Sequence, residues 1–221
     1  MDMQWFGQSC FLLTSAQGTR VLIDPFRRFL GYRMPVVEAD LVAVTHDHRD
    51  HNQVKAASGD FMLVNGPEPA TVKDVSIRGV RTFHDKHQGA KRGSNLVFVI
   101  EVDGLVVCHC GDLGHLLTQE QAAAIGRVDV LIVPVGGKMT LGGAEAAQTV
   151  AQLEPAVAIP MHYRTKATGI VGRLLFEPAA PFAEATGLPA ASGVRTLTLD
   201  SDSLAANRGV VEMAYYSEYN V

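Results

Sequence analysis

Cysteine is scarce and odd in number, three in 221 residues, which argues against a disulfide-stapled secreted domain and for reduced thiols in a reducing compartment. No apolar run approaches the roughly 20 residues of a membrane span. The opening Met1-Asp2-Met3-Gln4 lacks the basic start of a signal peptide, so the expected location is the cytoplasm. Positive charge is not in excess: 19 basic against 23 acidic residues leave a net charge of −4. That balance disfavours nucleic acid or an anionic membrane as the main partner. There is no internal linker, no low-complexity segment, and no convincing serine or cysteine nucleophile motif. What remains is 47% hydrophobic and 19% charged, ordinary for a soluble globule. The expectation is one domain over residues 1–221, with 205–221 as a C-terminal extension.

Against that background one stretch stands out, Leu41-Val-Ala-Val-Thr-His-Asp-His-Arg-Asp-His-Asn52. Four apolar residues fit a buried strand, which ends in three histidines and two aspartates within six positions. Imidazole and carboxylate are the ligands that borderline and hard divalent cations take, so His46, His48, Asp50 and His51 are expected to bind metal. In an extended run His46 and His48 share a side and can grip one ion; if the chain then turns, Asp50 and His51 reach a second. One motif thus predicts two metals.

Along the chain, Gln4 to Thr14 and Thr19 to Asp24 read as a hairpin turning at Gln17-Gly18. Phe26 to Glu38 reads as an irregular surface connection, with a substrate-covering loop as the alternative. Gln53 to Ser58 reads as a short helical stretch and Asp60 to Val64 as a strand. Val75 to Phe83 alternates and delivers His84; His87, three residues on, is a rival in a polar loop. That loop carries Lys86, Lys91 and Arg92, a solvated turn or a clamp for an anionic group. Leu96 to Val102 and Leu105 to Cys110 form a hairpin on Asp103-Gly104, and the second strand runs on into Gly111-Asp112. Cys108 and Cys110 read as small core residues, with a thiolate ligand at Cys110 as the lesser alternative. His115 is a cleft proton donor or a cap for a helix at Thr118 to Ile125. Val128 to Val135 and Ala156 to Pro160 read as strands and Ala144 to Leu153 as a helix, with Gly136-Gly137 letting the backbone turn closely. His162 follows, with Arg164 and Lys166 facing cleft or solvent. A last helix at Pro178 to Thr186 and a last strand at Val194 to Leu199 precede Ala205 to Val221. Tyr215, Tyr216 and Tyr219 in that end suggest a homo-oligomer contact or an edge-covering tail.

His46-x-His48-x-Asp50-His51, followed in order by Phe83-His84-Asp85, Gly111-Asp112 and Met161-His162-Tyr163, resembles the metallo-β-lactamase fold superfamily. The resemblance runs from about Met3 to about Leu199. It is nearest the small branch that includes L-ascorbate-6-phosphate lactonase-like hydrolases, through Ile23-Asp24-Pro25-Phe26, Pro134-Val135-Gly136-Gly137 and Pro160-Met161-His162-Tyr163. It implies an α/β fold (α+β by some schemes), a four-layer αβ/βα sandwich with a metal cleft along one edge. It implies His46, His48 and His84 on one ion, Asp50, His51 and His162 on a second, and Asp112 as the bridge. Asp24 then accepts the free ring N–H of a bound histidine, rather than only initiating a turn.

Such a centre acidifies a shared water to a pKa near 7, so hydroxide can attack a carbonyl or phosphoryl centre at neutral pH. Asp50 and Asp112 are the expected catalytic carboxylates. Zinc suits the ligands best, while manganese, iron or nickel also fit the mixed N and O set. Di-iron redox relatives carry an acidic residue where His48 stands and lack a histidine at 51. The expected activity is therefore hydrolysis of a small anionic ester, lactone or phosphoester. A nuclease of the same fold and a non-catalytic metal-stabilised binding protein are the alternatives.

Overall fold

The computed structural model describes residues 1–216. Its strands in chain order are β1 (Asp2–Gly7), β2 (Cys10–Thr14), β3 (Arg20–Ile23), β4 (Arg28–Phe29), β5 (Tyr32–Arg33), β6 (Val37–Glu38), β7 (Leu41–Ala43), β8 (Ala57–Ser58) and β9 (Met62–Val64). There follow β10 (Ala70–Val72), β11 (Val75–Phe83), β12 (Ser94–Val102), β13 (Leu105–His109), β14 (Val130–Pro134), β15 (Val157–Met161), β16 (Ala190–Val194), β17 (Thr196–Thr198) and β18 (Gly209–Met213). The helices are α1 (Gln119–Ile125), α2 (Gly143–Leu153), α3 (Gly169–Leu175) and α4 (Ala180–Thr186). None is long and apolar enough to cross a membrane.

Two sheets carry the fold. One orders its strands β17-β1-β2-β3-β7-β9 and the other β10-β11-β12-β13-β14-β15-β18-β16. The second begins antiparallel, where the β12–β13 hairpin turns on Asp103 (φ +52) and Gly104 (φ +76), the pair of positive φ values a two-residue loop needs. From β13 to β16 it is parallel. Buried on both faces, β14 (Val-Leu-Ile-Val-Pro) and β15 (Val-Ala-Ile-Pro-Met) are continuous apolar runs.

The six-stranded sheet sorts its side chains by alternation. Met3, Trp5, Phe11, Leu13, Val21, Ile23, Leu41 and Ala43 face the large core shared with the other sheet. Phe6, Cys10, Leu12, Leu22 and Val42 face the opposite way, into a second apolar cluster with Phe26, Tyr32, Met34, Ala39 and Ala56. On the outside of the eight-stranded sheet, α1 packs on β11, and α2 on β14 and α4. The four layers are therefore present, but the outermost layer over β1–β3 and β7 comes from the parts of residues 26–58 on either side of β7 and the His-rich turn. It consists of the ribbons β4–β5 and β6–β8 and a single 3-10 turn at Val54–Ala56.

Several sequence expectations change. Gln4 to Thr14 is two strands, broken by a turn at Gly7-Gln8-Ser9 with Gln8 at φ +52. The stretch from Phe26 to Glu38 is a core cover, since Phe26 and Tyr32 are fully buried. The helical stretch expected at Gln53 to Ser58 is one 3-10 turn running into β8. Helix α3 and strands β16 and β18 were not anticipated. Strand β18 enters the sheet between β15 and β16, and the Tyr215 ring packs 5.2 Å from that of Tyr32 and 6.3 Å from that of Trp5. Within 205–221, residues 209–213 are thus an internal strand of the sheet, where an edge-covering tail was expected. Tyr219 lies outside the described residues.

If these parts of residues 26–58 are a packed layer, Phe26→Ala should lower unfolding free energy by about 3–5 kcal/mol, as core Phe truncations do, read by urea titration. A surface loop would lose under about 0.5 kcal/mol.

Candidate metal centre

Four strands end at one edge of the sandwich, and each delivers a titratable side chain there. After β7 the chain does not stay extended: His51 N and Asn52 N both donate to His48 O at 2.9 and 3.0 Å. Between His46 and His48 the chain also bends, with His48 N donating to His46 O at 3.0 Å, and His46 Nε2 and His48 Nδ1 lie 2.9 Å apart. His84 follows β11, with its N–H on Gly93 O. Asp112 follows β13, its N–H held by Asn95 Oδ1 at 2.9 Å. His162 follows β15 at φ +55, its N–H on Gln8 O at 3.1 Å. Gly136 passes so near that an added Cβ would lie 2.0 Å from His162 O, the close backbone approach that the glycine pair suggested.

The seven side chains singled out in the sequence converge. Three groups place their ligand atoms within 4.8 Å of one another: His46, His48 and His84; His46, His51 and Asp112; Asp50, His51 and His162. Asp112 Oδ2 is the hub, 3.1 Å from His84 Nε2, 3.1 Å from His162 Nε2, 3.3 Å from His51 Nε2 and 4.0 Å from His46 Nε2. Two nitrogens about 2.05 Å from a tetrahedral ion lie about 3.3 Å apart, so these spacings fit divalent cations with small adjustments. His51 Nε2 is buried and, among the described residues, has no hydrogen-bond partner; its nearest neighbours are the Asp112 and Asp50 carboxylates, as a metal-directed nitrogen requires.

Behind this group, Asp24 ends β3 and is wholly buried. Its Oδ2 pairs with His51 Nδ1 at 2.9 Å and accepts from Thr45 Oγ1 at 2.7 Å, while Oδ1 accepts from Thr45 N at 2.8 Å. This contact fixes the His51 ring with Nε2 toward Asp112. Two further residues escaped the sequence reading. Gln8 Nε2 donates to Asp50 Oδ2 at 3.1 Å, and Ser9 Oγ donates to Asp112 Oδ1 at 3.2 Å. The only sequence signal was Gly7-Gln8-Ser9 interrupting an apolar run, a turn signature hidden by the strands around it.

Electrostatics follow from burial and spacing. Burial first, then the neighbouring His51, pushes the His46 pKa down to about 3; burial and His84 lower that of His48. Both imidazoles are thereby neutral, the form that coordinates metal. Burial opposes protonation of His51 too, but Asp112 and Asp24 outweigh it and raise the pKa well above the ordinary value. Asp112 is held well below the carboxylate range by His162 and His51 in spite of its burial. Asp50, likewise against burial, is brought to about 2 chiefly by His51. Carboxylates this deep call for positive charge, and a site that grips a proton so firmly suits a divalent cation.

Other candidates fall outside this group. His87 is exposed and joins no cluster. His115 is no proton donor of the cleft: its Nε2 accepts from Phe83 N at 3.1 Å and its Nδ1 sits 2.7 Å from Leu116 O, which commits both nitrogens to backbone. Nor does it cap α1, since Thr118 does. The Lys91 and Arg92 amides, with those of His87 and Gly89, donate to the Asp85 carboxylate, which folds their loop around itself. Their side chains are exposed and line a cavity of about 510 Å³ with Asp85, Gly114, Gly137, Glu145 and Glu177, which includes none of the seven converging side chains. Arg164 lines another cavity, of about 1070 Å³, beside Lys166 and Arg173. Cys110 belongs to the core, where Cys108 and burial raise its pKa.

Residues 2–162 match the family model described as a β-lactamase superfamily domain. The chain belongs to the metallo-β-lactamase superfamily. Among curated relatives of this superfamily member, a UPF0173 metal-dependent hydrolase of Thermococcus kodakarensis is 28% identical over 195 residues, spanning 75% of this chain and 85% of that protein. A candidate Zn-dependent hydrolase of the same superfamily from Thermotoga maritima superposes with a TM-score of 0.80 at 36% identity, over 97% of this chain and 99% of its own. The di-iron β-hydroxylase CmlA of Streptomyces venezuelae shares the fold alone, with a TM-score of 0.63 at 14% identity over 97% of this chain and 52% of its own.

The backbone donors around Asp85 hold its pKa at about 2, below the ordinary value of about 3.9. A depressed carboxylate contributes stability that is complete above its unfolded pKa and is lost as pH falls through the folded one. The melting-temperature gap between wild type and Asp85→Asn should therefore be constant above about pH 5 and close as pH approaches about 2, measured by thermal melts across that range.

Proposed function

We propose that this protein is a metal-dependent hydrolase of a small ester, lactone or phosphoester bearing negative charge. The observation that carries the reading is the hub at Asp112 Oδ2, whose group with His46 and His51 shares His46 with one flanking candidate group and His51 with the other. His46, His48 and His84 would hold one ion, and Asp50, His51 and His162 a second, with Asp112 between. Zinc is the first choice for this nitrogen-rich set; manganese, iron and nickel accept the same ligands. When bound, such ions supply a water acidified to near neutrality and positive charge against a developing oxyanion.

The protein's own groups do the rest. Ser9 occupies Asp112 Oδ1 and so aims Oδ2 at the imidazoles. Gln8 fixes Asp50, whose side chain is the most open of the centre's carboxylates. Because Asp50 stays ionised at neutral pH, it orients the attacking water and accepts its proton rather than acting first as an acid. Asp24 keeps the His51 tautomer with its free electron pair turned inward. A histidine at both 48 and 51 supports hydrolysis over di-iron redox chemistry, and the net charge of −4 disfavours a nuclease as a whole-chain property. Three buried, unpaired thiols fit a reducing cytoplasm.

Purified protein should contain up to two divalent ions per chain by elemental analysis and turn over members of a panel of lactones, thioesters and phosphodiesters. His48→Ala should lose metal and reduce turnover to background; full activity of that variant after chelation would refute the reading. Asp24→Asn should weaken metal binding by about 10–100-fold, read by competition with a chromogenic chelator.

A further inference from the structure

The layer over the six-stranded sheet carries more positive charge than packing requires. Arg27, Arg28, Arg33 and Arg49 line one open cavity of about 780 Å³, against Phe29 and Met34. Arginines that pair with carboxylates lie elsewhere, Arg20 with Glu38 and Arg127 with Asp129; among the described residues none of these four has such a partner within 4.0 Å. All four are exposed. In a chain of net charge −4 this is a local reversal of sign.

The ribbon sharpens the point. Arg28 and Arg33 are direct partners in the β4–β5 register, so they share a face with Cβ atoms about 4.5–5.5 Å apart, where like charges repel. The backbone that carries them is held in place. Their neighbour Tyr32 is buried and bonds Thr165 Oγ1 through its hydroxyl at 2.6 Å. Gly31 is pressed so hard on the loop after His162 that an added Cβ would lie 1.9 Å from Ala167 O. Leu30 sits at φ +49 in the turn, a strained conformation that persists only where surroundings impose it. Arg49 reaches the same cavity from within the ligand motif, between His48 and Asp50, and Gln53 lines it two residues past His51.

The geometry points to a pocket for a multiply charged oxyanion, gripped by Arg28 and Arg33 with Arg27 and Arg49, that takes the anionic end of the molecule hydrolysed at the neighbouring centre. Planar guanidinium groups bind oxyanions with paired N–H donors, and a dianion between two opposed arginines turns their repulsion into attraction. The link to catalysis rests on the hydrolase reading; the affinity of the pocket for an oxyanion does not.

The test is calorimetric titration of the full chain with inorganic phosphate at low ionic strength, once metal-loaded and once chelator-treated. One phosphate should bind per chain in both states. Arg28→Gln combined with Arg33→Gln should weaken binding at least about tenfold, while His48→Ala should leave it within about twofold, as expected for separate sites. Without phosphate, Arg28→Gln should melt higher than wild type because the repulsion is relieved. Absence of phosphate binding overturns the proposal, as does binding that vanishes with chelation or His48→Ala and ignores the arginines, since the anion then sits on the metals. Arg28→Gln melting lower than wild type also overturns it, because the arginines would then serve packing.

Kinetics on p-nitrophenyl hemisuccinate, which is anionic, and p-nitrophenyl butyrate, which is neutral, separate the sources of the anion. A KM raised at least about tenfold by the arginine pair for the first ester alone marks the substrate's own group. Phosphate changing kcat for the butyrate in wild type but not in the double variant marks a free anion. Neither effect, with both esters turned over, overturns the link to catalysis. Phosphate binding without any turnover counts against the hydrolase reading and not against the pocket.

Discussion

A carboxylate buried as deeply as Asp112 survives in a protein only where charge or hydrogen bonds replace the water it has lost. Here the replacement is a shell of imidazole nitrogens around one oxygen and a serine hydroxyl on the other. Such a shell cannot be assembled by one segment of chain. It needs β7, β11, β13 and β15 to stop at the same edge, which in turn needs two sheets packed tightly enough to fix where each strand ends. The apolar runs of β14 and β15 and the shared core of Trp5, Phe11 and Phe98 therefore support the chemistry as much as the stability.

The candidate ligands were legible in the sequence because their chemistry is unusual. No packing requirement calls for His-x-His-x-Asp-His at a strand end, and His84, Asp112 and His162 each follow an apolar run. Legibility stopped where the information is held by the partner. Gln8 and Ser9 look like any polar turn until β1 and β2 fold back and bring them against Asp50 and Asp112. His115 and His87 are chemically as suitable as His84, and only backbone geometry sets them apart. The grip of His46 and His48 was expected for the right residues and the wrong reason: a turn, not a pleat, brings them together.

The fold shows the same division. Long strands and capped helices announce themselves through periodicity, as β11, β12 and α2 do. Outside β7 and the His-rich motif, the layer within residues 26–58 has no period to read, because two-residue strands and a single 3-10 turn are shorter than any repeat. It nonetheless buries Phe26 and Tyr32 completely and places four arginines on its outer side. An irregular stretch can thus be a structural wall on one face and a positively charged surface on the other.

The position of β18 has a consequence for the order of events at the ribosome. Strand β15, which presents His162, is flanked by β14 on one side and β18 on the other, and some 45 residues of later chain separate His162 from the start of that second brace at Gly209. The histidines near residue 50 emerge early, but β15, which leads into His162, gains its second flanking strand only once residues 209–213 have been synthesised. The sheet that carries three of the four strands delivering candidate ligands is accordingly completed late in the chain.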